Sequence, residues 1–390
     1  MRVLFAISPG LDHLYPAIGL AWAFRTAGHT VAVATSGESI AAAANAGFPV
    51  RDVASGTQAD FDAIFPKSGT QEERARNMRE RGRTMAKSGV TPEIILEKFG
   101  RVSDLMAERT LAFAEMWRPD LIVYSRLQGA GLLAARALGI PAVENGYSFL
   151  REGDLPGRLL PHLAPVFERL GVPVELPEVT PVYFAPERMM HGEGEGLTAR
   201  FVPYHGGGLM PDWLAVPKER PRVCITLGTT VPFVAGVGSV ASVLDAAAGV
   251  DAEFILALGD KVDFTPLGTL PDNVRVVGWT PLSTLLMSCD GIIHHGGAGT
   301  TLASAHAGVP QLAMPHGADN WINAGIVERC GFGISRDPED VDSTVLDYLV
   351  NDEGLRKSVG DVAAELARQP GPDQLVPHLV ALTERTGVRG

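Results

Sequence analysis

DGIIHHGGAGTTLASAHAGVPQLAMPHGADNWIN, residues 290–323, is the stretch that decides how this chain is read. A short apolar strand, Gly291-Ile292-Ile293, runs into His294-His295. Gly296-Gly297-Ala298-Gly299-Thr300-Thr301 then opens a helix. A second strand, 311–315, ends in another polar turn that carries His316, Asp319 and Asn320. Small residues let a ligand approach the backbone, and the unpaired N–H groups of a helix start attract anions. His295 adds a side-chain donor there. A Gly-rich turn alone is equally a device for tight packing; the strand before it and the helix after it are what favour an anion. Phosphate at one turn and hydroxyl-binding groups at the next make the chemistry of a nucleotide-sugar.

The same alternation of strand and helix surrounds this stretch. Strands are predicted at 222–229, 253–259 and 273–279 before it, and helices at 338–349, 352–368 and 374–386 after it. The first half repeats the pattern, with strands at 2–8, 30–36, 49–54, 120–125 and 141–145. Its helices fall at 16–27, 39–46, 91–117 (Pro92 in the first turn) and 128–138. The strands are apolar on both faces, as in parallel sheets covered by helices. Residues 56–88 are charged and weakly patterned and read as a mobile excursion. Residues 151–200 are Pro-rich and read as irregular. The expected fold is α/β: two Rossmann-like, doubly wound domains facing across a cleft, with ligands beyond the carboxyl ends of the strands. The boundaries are placed at 1–205 for the first domain, 206–220 for a linker, 221–372 for the second domain and 373–390 for a final helix crossing back to the first.

Composition narrows the class. A length of 390 residues allows two cores, and 46% hydrophobic with 20% charged residues is ordinary for a soluble protein. The net charge of -12 argues against a nucleic-acid or membrane surface, although a helix start still makes a local anion site. Cys224, Cys289 and Cys330 show no metal-ligand spacing and read as reduced thiols of a cytoplasmic protein. The start, MRVLFAIS, breaks at Pro9-Gly10 and reads as a strand rather than a signal peptide. No apolar run reaches membrane-spanning length, so no stable membrane insertion is expected.

Five positions carry chemistry that can be weighed singly. His13 lies in the turn after the first strand, where a neutral imidazole can take a proton from a hydroxyl; by position alone it could equally cap a helix. Leu227-Gly228-Thr229-Thr230 follows the first strand of the second half at the same sheet edge, and Thr229 could donate to a diphosphate or simply cap a helix. Trp279, at a strand end, could stack on a nucleobase or belong to a core. Asp319 and Asn320 could bind sugar hydroxyls or start a helix.

Together, Trp279-x-Pro281, His295-Gly-Gly-Ala-Gly-Thr300, Gly308-Val309-Pro310, Pro315 and Asp319-Asn320 resemble the nucleotide-sugar signature of family 1 GT-B glycosyltransferases. The start (MRVLFAISPGLDHLYP), the linker (FVPYHGGGLMPDWL) and the HHGGAGTT form are more narrowly similar to actinobacterial antibiotic glycosyltransferases, which attach deoxysugars to polyketide and related aglycones. The resemblance runs from end to end and implies a GT-B fold. It implies that Trp279 stacks on the base, with Thr280 backbone at the base edge. His295, Gly297, Ala298, Gly299 and Thr300, helped by Thr229, would hold the diphosphate. Asp319 and Asn320 would hold the sugar, and His13 would be the general base of an inverting, metal-free transfer. No cofactor is implied beyond the nucleotide-sugar co-substrate, and no Asp-x-Asp run stands at a strand end. The partners implied are a TDP-sugar and a polyketide-like acceptor. The resemblance leaves room for a homodimer and for an activator protein.

Three departures from the family pattern stand out. Ser125 occupies the place of the Asp that usually supports the catalytic base; Asp12 or Glu144, with Asn145 beside it, could substitute. Alternatively the acceptor is acidic, as a phenol with a pKa of about 10 would be. Ala303 stands where plant relatives carry a ribose-binding Glu, which favours TDP over UDP. Asn320 replaces the more usual Gln. The rivals are a C-glycosylating variant, a GT-B epimerase, a cell-wall sugar transferase, and a catalytically silent sugar-nucleotide-binding helper.

Overall fold

A computed structural model describes residues 1–66 and 68–385. Two parallel sheets organise the chain. The first contains β1 (Arg2–Ala6), β2 (Thr30–Thr35), β3 (Val50–Asp52), β4 (Leu121–Ser125), β5 (Ala142–Asn145), β6 (Val179–Tyr183) and β7 (Leu197–Thr198), in the order β3-β2-β1-β4-β5-β6-β7. The second contains β8 (Arg222–Thr226), β9 (Glu253–Leu256), β10 (Val274–Val276), β11 (Gly291–His294), β12 (Gln311–Ala313) and β13 (Gly333–Ser335), in the order β10-β9-β8-β11-β12-β13. β4 and β8 are buried along their whole length, because helices cover both faces. Each sheet changes direction of winding once, between β1 and β4 and between β8 and β11. Such switch points open a crevice at the carboxyl ends of the strands. This is the α/β GT-B arrangement.

Several predicted elements shift for physical reasons. The first helix is Leu11–Thr26 and holds Pro16 inside it, so His13 sits in the first helical turn and not in a loop before it. Pro16 costs only the bond it would have donated to the Asp12 carbonyl, near a helix end. The strand expected to end at Trp279 stops at Val276 on a sheet edge, and Trp279 lies in the connection that follows. Residues 151–200 are not irregular. Leu155–Arg169 is a helix despite Pro161 and Pro165, because Leu155, Leu159, Leu163, Val166 and Phe167 form one buried face against the helix Glu93–Trp117. β6 and β7 then extend the first sheet.

Residues 56–88 are largely helical too. Gln71–Ser88 is a helix with a complete capping box, Thr70 to Glu73, and closes on Gly89 in the left-handed conformation. The last described helix, Pro372–Arg385, packs on Leu11–Thr26 and pairs Arg385 with Glu178 at 2.9 Å. Among the described residues no helix is long and apolar enough to cross a membrane.

Candidate active site

Strand pairing brings the anion turn together. β8 lies beside β11 with Thr226 opposite His294, so 227–230 runs alongside His295. Gly228 adopts φ +68°, and a Cβ there would stand 2.6 Å from His295 Cε1; one on Gly297 would stand 2.3 Å from His295 Nε2. The imidazole is therefore wedged between two positions that only glycine fits. Burial, with His294 and His316 adding to it, holds the His295 pKa well below the ordinary value. The ring is neutral and offers one N–H to a ligand without adding charge. Gly297 caps the helix Ala298–His306 without a side-chain bond, and Thr301 N–H is the first to fold back, onto Gly297 O at 2.9 Å. The N–H groups of Ala298, Gly299 and Thr300 thus point out of the helix start. Thr229 stands exposed at the mouth of the same turn.

A support that the sequence reading missed sits beneath this turn. His294 is fully buried, and its Nδ1 accepts the Gly296 N–H at 3.1 Å. Its Nε2–H therefore donates to Gln311 Oε1 at 2.9 Å, and Gln311 Nε2 donates to Thr301 O at 3.1 Å. Asn323 Nδ2 donates to Gly296 O at 2.8 Å. Both backbone groups of Gly296 are thereby spent, and the free donors are left to the residues beyond it. The His294-His295 pair in sequence was the signal: one ring faces the ligand side and the other anchors the turn. Burial lowers the His294 pKa to about 4.

The second polar turn is only partly available to a ligand. His316 lies inward, with Nδ1 donating to Met314 O at 2.6 Å and Nε2 accepting from Ser239 Oγ at 2.7 Å. Asn320 Oδ1 accepts the Gly317 N–H at 3.0 Å, so the side-chain carbonyl closes the turn and only Nδ2 remains for a sugar. Asp319 is half-buried at the start of the helix Asn320–Arg329, and burial raises its pKa against the opposing bond from Asn323. Trp279 is 42% exposed, with its backbone N–H on Asp260 Oδ1 at 2.8 Å. Thr280 Oγ1 donates to Gly278 O at 3.3 Å. The linker crosses the indole: a Cβ on Gly206 would lie 3.8 Å from it. Ala303 is buried in the core and carries nothing toward a ribose.

Across the cleft, His13 is buried and its pKa is lowered by burial, with Asp12 opposing. Neither ring nitrogen has a hydrogen-bond partner among the described residues, and Nδ1 is shut away from solvent. Ser125 does not support it: its Oγ accepts the Ser8 N–H at 3.0 Å and ties β4 to the end of β1. Glu144 is likewise occupied, accepting the Tyr124 hydroxyl at 3.2 Å, and burial raises its pKa. Asn145 is fully buried, turned to Gly146 O, with Oδ1 unpartnered. Of the sequence candidates only exposed Asp12 acts on His13, and it does so through charge. The rings of Tyr147 at 4.7 Å and Phe99 at 5.4 Å flank the imidazole instead. Tyr147 follows a predicted strand end, which was the signal available for it. Burial raises its phenol pKa, Arg126 opposes, and the carboxylates of Asp12 and Asp319 add to the rise. Tyr147 thus lies against His13 and within electrostatic range of Asp319. Among the described residues no three His, Cys, Asp or Glu side chains gather into a metal set.

Two switch-point crevices, one with a buried histidine and one with unpaired N–H groups at a helix start, are the frame of a GT-B glycosyltransferase. The comparisons are of one kind. Residues 22–228 and 241–382 match the N-terminal and C-terminal domains of the family described as erythromycin biosynthesis protein CIII-like. Elloramycin glycosyltransferase ElmGT of Streptomyces olivaceus is 37% identical over 97% of both chains. The solved glycosyltransferase SnogD of Streptomyces nogalater is 36% identical, with a TM-score of 0.85, covering 98% of this chain and all of its own. The Streptomyces sp. SF2575 glycosyltransferase SsfS6, solved with thymidine diphosphate, is 27% identical with a TM-score of 0.78, covering 98% of this chain and 99% of its own. The chain belongs to the erythromycin biosynthesis protein CIII-like family of antibiotic glycosyltransferases.

Proposed function

We propose that this enzyme moves a deoxysugar from a TDP-sugar to a hydroxyl of an aromatic polyketide-type acceptor, with inversion and without a metal. The observation that carries the reading is His295, wedged between Gly228 and Gly297 beside the unpaired N–H groups at the start of the helix Ala298–His306. Trp279 stacks on the thymine, with Thr280 at its edge. The N–H groups of Ala298, Gly299 and Thr300, with His295 and Thr229, hold the diphosphate. Asp319 and the Asn320 amide hold the sugar. His13 takes the acceptor proton as the oxygen attacks the anomeric carbon, and the diphosphate leaves into preorganised donors that meet its charge.

The acceptor class follows from what surrounds His13. The imidazolium formed on proton transfer has no carboxylate bonded to it, so the base is weak and suits an acidic hydroxyl. Phe65, Phe99, His13 and Tyr147 form a continuous series of ring contacts, with Phe65 41% exposed at its outer end. Such walls fit a planar aromatic ring system. Relatives solved with thymidine diphosphate accord with the donor side of the reading.

Thermal shift with TDP, UDP and GDP tests the donor side. Saturation at 100 times Kd adds about 2.7 kcal/mol to stability. TDP should stabilise the protein most, and a preference for UDP would overturn the deoxysugar reading. Loss of transfer in His13→Ala tests the base, and equal turnover would refute it.

A further inference from the structure

The helix Gln71–Ser88 belongs to the first domain by sequence, yet its buried face lies on the second. Gln71, Arg74, Met78 and Gly82 recur at helical spacing and meet second-domain atoms one after another. A Cβ on Gly236 would stand 2.8 Å from Gln71 Oε1. Arg74 Nε donates to Val234 O at 2.7 Å. Met78 packs on the hydrophobic core around β8 and β9, and a Cβ on Gly317 would lie 2.6 Å from its Cγ. The contact is closest at Gly82. A Cβ there would lie 2.5 Å from the Trp321 ring and 3.1 Å from the Gly317 carbonyl carbon. Two glycines thus face each other so that a helix and a turn can touch backbone to backbone. On the flanks, Arg83 bonds Asp337 at 2.7 Å and lies over the Trp321 ring at 5.6 Å, and Arg79 reaches Glu339 at 3.6 Å.

The turn gripped in this way is 315–320, which presents Asp319 and Asn320. Ala318 within it holds φ 46°, a conformation that costs a non-glycine residue energy and persists only when its surroundings enforce it. Trp321 follows Asn320 directly, so whatever seats Trp321 sets where that amide points.

We propose that the helix Gln71–Ser88 is a positioning element for the sugar: by seating Gly82 against Gly317 and Trp321 it fixes the Asp319–Asn320 turn. The first domain thereby completes the sugar end of the site, while the diphosphate end belongs to the second domain and the base end is crossed by the linker at Gly206. This rests on the donor reading above. A side chain at position 82 pushes the helix away, and the turn loses its backing without any change at Trp279 or His295.

The test compares Gly82→Leu and Arg83→Asp with the parent enzyme. Hydrogen exchange across 315–321 should quicken at least tenfold in both variants. Stabilisation by TDP should stay within twofold in ligand concentration, and kcat for transfer should fall at least tenfold. The double variant Arg83→Asp/Asp337→Arg restores the ion pair and should recover slow exchange and most of kcat; a defect that merely weakened the fold would not answer to that swap. Unchanged exchange and unchanged kcat in Arg83→Asp, which alters an exposed side chain and should fold, would overturn the proposal even if Gly82→Leu does not fold. Failure of TDP to stabilise the parent would instead count against the donor reading.

Discussion

Replacing Gln311 by Leu should loosen the diphosphate turn from beneath. Gln311 and His294 are both fully buried, and two bonds depend on the amide: His294 Nε2 to Gln311 Oε1 at 2.9 Å, and Gln311 Nε2 to Thr301 O at 3.1 Å. Each is worth about 1 kcal/mol net, and leaving the His294 N–H unpaired costs roughly 1–3 kcal/mol more. The expected loss is about 3–5 kcal/mol, against a total of about 5–15 kcal/mol for an ordinary domain. A functional loss accompanies it. Gln311 keeps the proton on Nε2, which leaves Nδ1 free to accept the Gly296 N–H. Without that acceptor the proton can move to Nδ1, where it confronts the Gly296 N–H donor to donor and pushes the turn off its seat. TDP affinity should weaken about tenfold, or about 1.4 kcal/mol. Urea unfolding and calorimetric titration with TDP measure the two arms. A stability loss under about 0.5 kcal/mol, together with an unchanged TDP Kd, would refute the reasoning on which the His294 support rests.

Three further outcomes follow from the same geometry. In His13→Ala only the already ionised acceptor can react; for a phenol near pKa 10 that is about 0.3% at pH 7.5, so the rate should fall about 300-fold and recover about tenfold per pH unit toward pH 10. A pH-independent residual rate would show that the base lies elsewhere. In Asp12→Asn the charge that favours imidazolium disappears, so the His13 pKa should fall further and the acid limb of kcat/KM should move to lower pH; a shift upward would contradict the placement of Asp12. Burial holds the folded pKa of both His294 and His316 at about 4. The unfolded chain, near 6.5, therefore takes up protons first as pH falls, and the stability these groups contribute is complete above about pH 6.5 and is lost toward pH 4. Between pH 6.5 and 5 the pair should cost about 3 kcal/mol, and a flat stability profile over that range would exclude it.

Local chemistry determined much of this protein. The alternation of doubly apolar strands with helices, Gly297 before a helix and the turns at strand ends depend on neighbours in the chain, so residues 290–323 disclosed both the fold and the position of the Gly-rich turn. The placement of His295 and Thr229 side by side was legible for the same reason, once a parallel sheet put its connecting loops at the carboxyl ends of its strands. Tertiary structure decided what depends on distant partners. Ser125 is spent on Ser8 across neighbouring strands, Glu144 on Tyr124, and the Asn320 carbonyl on its own turn, so residue types that suit a site were already committed elsewhere. The aromatic surroundings of His13 come from Phe99 and Tyr147, on elements joined only by the fold. The charged stretch 71–88 read as mobile because few of its residues are apolar. Its partner surface is the opposite domain, and the backbone contact between Gly82 and Gly317 has no pattern in a sequence until the two sheets bring those glycines together.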